Sequence, residues 1–241
     1  MVVTTAKEFR TAVGEYRFDS FALDRDLLAA ARATMAEAGL LVVGEPHGMY
    51  ETPAVVYSLA VALGTRAVAL EWSHEEMDDP VQEFVRSGAF DFERLWSLPP
   101  SAEFFCGDGR ITTGHFALLQ RLRAEGRLEQ VIAFDRLDPV PHPEDWRIRD
   151  REMAERLLAE WQGAAPLVVV TGAFHAAMQP HLEPEGETMA ALLARERKGL
   201  VPAMLQYDNS APMPRTPITF PLPEGSPACV PSPQSTGLTR T

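Results

Sequence analysis

Five short apolar runs carry no polar residue at alternate positions, and this property does most to limit the folds open to the chain. They are Leu40 to Gly44, Ala67 to Leu70, Val131 to Phe134, Pro166 to Val170, and Val201 to Gln206. A strand with one wet face alternates apolar with polar residues, whereas one buried on both faces does not. Between the runs lie stretches of helical period. Asp24 to Ala38 sets Leu27, Leu28, Ala31 and Met35 on one stripe and stops at Gly39. Thr52 to Leu63 carries Val55, Val56, Leu59 and Leu63 and is closed by Gly64. His115 to Ala124, Arg147 to Trp161, and Thr188 to Arg195 repeat the pattern, the last with Thr188 as its N-cap. Strand and helix units in this order predict an α/β fold: a three-layer sandwich with a mostly parallel central sheet and helices on both faces.

Residues 1–210 read as one domain. Within it, Ser73 to Gly109 has little strand character and is expected to form a helical cap insertion over the site, with loop at Pro99-Pro100 and around Cys106. From Ala211 to Thr241 prolines recur beside Ser and Thr, which predicts a tail with at most one edge strand, near Ile218 to Phe220.

The formal net charge of -12 argues against a nucleic-acid partner, which needs concentrated positive charge, and against an anionic membrane surface. Two cysteines, Cys106 and Cys229, support neither a disulfide framework nor a cysteine zinc cluster. Met1 to Arg10 has no apolar core of signal-peptide length, so a cytoplasmic location is the expectation. The chain has no Gly-rich phosphate loop, no Gly-x-Ser-x-Gly and no His-Glu-x-x-His.

Ligands of parallel sheets bind outside the carboxyl ends of the strands. Here those ends carry Glu45, Glu71 and Asp135, with His47 just past the first and His175 just past the fourth. A carboxylate at a buried strand end is costly without a partner, so such groups are kept where they bind something or hold one another. In Gly44-Glu45-Pro46-His47, the acid and the imidazole project the same way, and the acid can fix the ring's tautomer while the other nitrogen deprotonates water. The plainer reading is a polar turn. Thr171-Gly172-Ala173-Phe174-His175 repeats the design, against a capping histidine as the alternative. Glu71 could merely cap a helix, and Asp135 could pair with Arg136 or Arg149. Arg149 or Arg110 could bind a substrate carboxylate or stabilise an oxyanion. His74, His115, His142 and His181 read as surface residues.

Taken together, these segments resemble the superfamily of the erythromycin esterases and ChaN-like haem-binding proteins, to which the Tiki proteases are related. The resemblance rests on Gly44-Glu45-x-His47-Gly48 with Glu51, on Glu71 closing the next strand, on Arg149 to Ala154, and on Gly172 to His175. It implies a hydrolase-type site in which His47 is the general base held by Glu45, completed by Glu71 and His175; Arg110, Arg149, Asp135 and Glu51 are the substrate-binding candidates beside it. The chain departs from the esterases in having one residue, not two, between Glu45 and His47, and in its shorter length.

Three functions follow as expectations. One is cofactor-free hydrolysis of an ester, lactone or amide, with a natural-product or peptide intermediate as the expected kind of substrate. A second adds a divalent metal, Zn²⁺ or Mn²⁺, held by the two histidines and carboxylates. The third is binding of haem, as the ChaN-like resemblance allows. A purely structural polar network is the bland alternative.

Overall fold

The computed structural model describes residues 5–18, 23, 25–98, 109–136, 143–163, 165–179 and 186–205. The apolar runs become five strands: β1 Leu40–Glu45, β2 Ala67–Ser73, β3 Gln130–Asp135, β4 Leu167–Gly172 and β5 Ala203–Met204. Nine helices accompany them among the described residues: α1 Ala6–Glu15, α2 Arg25–Ala38, α3 Thr52–Leu63, α4 His74–Ser87, α5 Phe92–Trp96, α6 Thr113–Ala124, α7 Pro143–Trp161, α8 Ala173–Ala176 and α9 Met189–Glu196. The strand and tail expected after Ala211, together with Cys106, Cys229, His142 and His181, lie outside the described residues.

Every ladder is parallel, and the strand order is β3-β2-β4-β1-β5. The missing alternation in the sequence has its cause here: every residue of β1, β2 and β4 is buried. Along each strand, successive side chains go to opposite layers. Leu41, Val43, Val68, Leu70, Trp72, Val131, Ala133, Val168 and Val170 face α1 to α6. Leu40, Val42, Ala67, Ala69, Ile132, Phe134, Leu167 and Val169 face α7 to α9. Each Leu or Val taken out of water in this way contributes about 1.5–3 kcal/mol.

The order explains why helices divide as they do. The chain runs from β1 past the position of β4 to β2 and on to β3, then returns to β4 and β5. Crossovers of one hand put their helices on one face when the chain moves one way and on the other when it turns back. Thus α3 to α6 pack on the first face and α7 to α9 on the second. The described part of the insertion, residues 73–98, is helical, and its helices are built into the first face of the sheet instead of lying over the site as a cap. Met77, Val81 and Phe84 of α4 are fully buried, and Phe90, Phe92 and Leu95 extend the same core towards Phe9 and Phe116. Among the described residues, no helix is long and apolar enough to cross a membrane.

Candidate active site

β2 and β4 are neighbours whose following connections leave on opposite faces, which opens a crevice at their carboxyl ends. Glu71 stands in that crevice, buried. Its Oε2 accepts hydrogen bonds from the Thr171 hydroxyl and the Gly172 N–H, each at 2.6 Å. Its Oε1 faces Arg149 Nη2 at 3.2 Å, Arg110 Nη1 at 3.5 Å, His175 Nε2 at 3.7 Å and His47 Nε2 at 3.8 Å. Burial alone would favour a protonated acid. The positive charges of His175, His47, Arg110 and Arg149 outweigh it and hold Glu71 well below its ordinary value of 4.5.

The two imidazoles are set in the same manner. His47 Nδ1 lies 3.3 Å from Glu45 Oε1, and His175 Nδ1 lies 2.8 Å from Asp150 Oδ1. The same Asp150 oxygen accepts from the Met189 N–H at 2.8 Å, so the start of α9 pins it in place. A carboxylate on Nδ1 fixes the ring and presents Nε2, and here both Nε2 atoms turn to Glu71. His47 keeps 21% of its side chain exposed, against 9% for His175. Burial lowers the proton affinity of His47, but the hydrogen bond to Glu45 and the charge of Glu71 overcome that and the opposing Arg110. The net result is a pKa above 6.5.

The arginines differ in their attachment. Arg149, on α7, grips Asp135 with two nitrogens, Nε to Oδ1 at 2.9 Å and Nη2 to Oδ2 at 2.5 Å. Burial opposes its charge, and Asp135 with Glu71 more than restores it. Arg110 donates to Asp135 Oδ2 at 3.2 Å and keeps 14% of its side chain exposed, so it is the more accessible of the pair. Its position is set by the preceding residue. Gly109 has φ +91°, and a Cβ there would stand 2.1 Å from the Cα of Gly48, itself at φ 84°. Only two residues without side chains can meet in this way. The contact seats the segment bearing Arg110 on the loop bearing His47. Gly172 has a separate reason for being glycine: a Cβ would approach His47 Nε2 to 2.7 Å.

Of the residues singled out from the sequence, Glu45, His47, Glu71, Asp135, Arg110, Arg149 and His175 thus meet at one rim of the sheet. Glu51 does not join them by any hydrogen bond or ion pair among the described residues; it precedes α3, with Oε2 buried and unpartnered. Two corrections follow. His115, expected on the surface, is 2% exposed, with Nδ1 3.2 Å from Thr112 Oγ1 and Nε2 4.0 Å from Glu45 Oε1. The spacing Thr112-x-x-His115 was its only signal, since a helix-capping threonine is well placed to reach a histidine three residues on. Asp150 was visible only as the neighbour of Arg149, and nothing in the sequence assigned it to His175. His74, also expected on the surface, is half-buried, with 30% of its side chain exposed and Nδ1 2.8 Å from Glu75 Oε2.

Among the described residues, no group of three or more His, Cys, Asp and Glu side chains is arranged to hold a metal ion. The reason is visible at Glu71, where two guanidiniums stand beside the oxygen that the imidazoles also approach. A hollow lined by Asp79, Gln82, Glu83, Val85, Arg86 and Arg94 lies elsewhere on the surface and is crossed by the Arg94–Asp79 pair. No protein-family model matches the chain, and no curated protein or solved structure is significantly similar to it.

Proposed function

We propose that the chain is a hydrolase-type enzyme that cleaves an ester, lactone or amide by acid/base catalysis, with His47 as the general base. The observation that carries this reading is the convergence of two carboxylate-held imidazoles on one ionised oxygen, with Nε2 of His47 at 3.8 Å and of His175 at 3.7 Å. A network with a purely structural task gains nothing from leaving one of those rings partly exposed, as His47 is at 21%.

In the proposed reaction, the Nδ1–H of His47 stays on Glu45 and its Nε2 takes a proton from water as the water oxygen attacks the carbonyl carbon. Glu71, already anionic, stabilises the imidazolium that forms. The carbonyl oxygen becomes an oxyanion, and Arg110 supplies the accessible positive charge beside it. When the carbon–oxygen or carbon–nitrogen bond breaks, the Nε2–H of His47 returns its proton to the leaving atom, giving an acid and an alcohol or amine. Arg149, clamped on Asp135, positions Glu71. The two guanidiniums put positive charge where a divalent cation would have to stand, which favours the metal-independent form. The resemblance to the erythromycin esterases supports the same reaction class, and a natural-product or peptide intermediate is the proposed kind of substrate.

A panel of activated esters, simple lactones and aryl amides tests this. The wild-type chain is expected to turn over at least one class, with and without a chelator. His47→Ala should lower kcat/KM at least about 10²-fold while its circular dichroism stays unchanged. Turnover that survives in His47→Ala, or that disappears with the chelator, would overturn the mechanism.

A further inference from the structure

Glu45 is buried to 3% exposure, and one oxygen serves two rings: Oε1 is 3.3 Å from His47 Nδ1 and 4.0 Å from His115 Nε2. His115 Nε2 is fully buried and has no hydrogen-bond partner among the described residues. A buried N–H left unmade is unusual in a folded protein. The rest of the ring is firmly placed. The Thr112 hydroxyl oxygen accepts the His115 backbone N–H at 3.4 Å and lies 3.2 Å from Nδ1. That hydroxyl can donate its own proton to Nδ1 while accepting the backbone N–H, and the tautomer this selects carries the ring proton on Nε2, facing the acceptor oxygen of Glu45. Trp72 packs edge-on to the imidazole, centroids 6.4 Å apart, and its Nε1–H is committed to the Arg110 carbonyl at 3.2 Å.

We propose that His115 is a positioning residue of this site, whose Nε2–H closes on Glu45 Oε1 and holds that carboxylate against His47 Nδ1. A shift of about one ångström by the Glu45 carboxyl brings 4.0 Å within hydrogen-bond range. The proposal rests on the reading of His47 as the base, and it extends the site by a third imidazole. The charge of His115 fits the task. Burial lowers its proton affinity more than Glu45 raises it, and His47 adds to the lowering, so the ring is neutral. A neutral donor can fix Glu45 without placing a second positive charge beside His47, where it would weaken the base.

Two replacements separate positioning from packing. In His115→Asn, the amide reaches the place of Nδ1 and stops short of Glu45. In His115→Gln, the amide reaches the place of Nε2 and can still donate to it. The readout is the titration of the His47 ring by NMR on the full chain, which needs no substrate. His47 faces Glu45, Glu71 and Arg110 in all three proteins. In His115→Asn, the pKa of His47 is expected to fall by about one unit, the size of one lost hydrogen bond to a charged group. In His115→Gln it should stay within about 0.3 unit of wild type. If the Asn chain does not fold, His115→Phe replaces it with the same expectation. A His47 titration that is unchanged or raised in Asn or Phe, or equally lowered in Gln, overturns the proposal. Once an ester is found, kcat should fall about tenfold in Asn and recover in Gln. A lowered titration with no ester cleaved by wild type would leave the positioning intact and remove the proposed reaction instead.

Discussion

Replacing Glu71 with Gln is the most searching test of the cluster, because the geometry leaves an amide no good orientation. Oε2 receives two donors at 2.6 Å, from Thr171 and Gly172, and Oε1 is approached by two guanidiniums and two imidazoles. An NH₂ at either place meets donors. It also removes the negative charge that both guanidiniums and both rings rely on. Breaking a buried ionic network by removing one partner costs about 3–5 kcal/mol. For a chain of this size, each kcal/mol moves the melting point by roughly 2–4 °C, so Glu71→Gln should melt roughly 6–20 °C below wild type at pH 6. Differential scanning calorimetry across pH gives a second check. Glu71 is depressed in the folded state, so its stabilisation is present above about pH 4.5 and is lost as pH falls through the depressed value. His47 is raised, so its share is full below 6.5 and is lost as pH rises through the folded value. The gap between wild type and Glu71→Gln should therefore be widest between pH 4.5 and 6.5. A melting point within about 2 °C of wild type, or a gap that does not vary with pH, would refute the picture of Glu71 as the ionised hub.

Asp150→Asn should leave the fold intact and lower kcat on any ester that is turned over, by about 10²-fold, because Asp150 Oδ1 lies 2.8 Å from Nδ1 of His175 and orients that ring beside Glu71; NMR should show a changed tautomer for that ring, and an unchanged tautomer would count against the assignment. Gly109→Ala places a Cβ 2.1 Å from the Gly48 Cα at φ +91°, and so should lower both stability, by about 1–3 kcal/mol, and turnover. If Gly109→Ala matches wild type in both melting point and rate, the two segments are not held by this contact.

Much of the fold was legible because burial on both faces erases alternation: Leu40 to Gly44, Ala67 to Leu70, Val131 to Phe134 and Pro166 to Val170 each became a strand of the expected kind. Among the described residues β5 spans only Ala203–Met204 of the expected run, beginning after Pro202, which has no N–H to give a ladder. The convergence of Glu45, His47, Glu71 and His175 was readable because a parallel sheet delivers all strand ends to one rim. The orienting groups were not. Asp150 and His115 sit on helices, and a helix position reveals which stripe is apolar but not which strand end lies under a polar residue. The long-range pairing of His175 with Asp150 and the approach of His115 to Glu45 depend on how α6 and α7 dock, which no local pattern encodes.

The strand order carries a consequence for how the protein is made. Both neighbours of β1 are β4 and β5, which follow β2 and β3 in the chain, so among the described residues β1 finds its ladder partners only after residue 167 has left the ribosome. Until then, the strand that ends in Glu45 and leads into His47 waits without its ladder partners, and long-range closure of this kind is slow. The rim is therefore completed late, when β4 enters between β1 and β2, and a nascent chain halted before that point holds most of the site's residues but lacks His175 and the strand that joins β1 to β2.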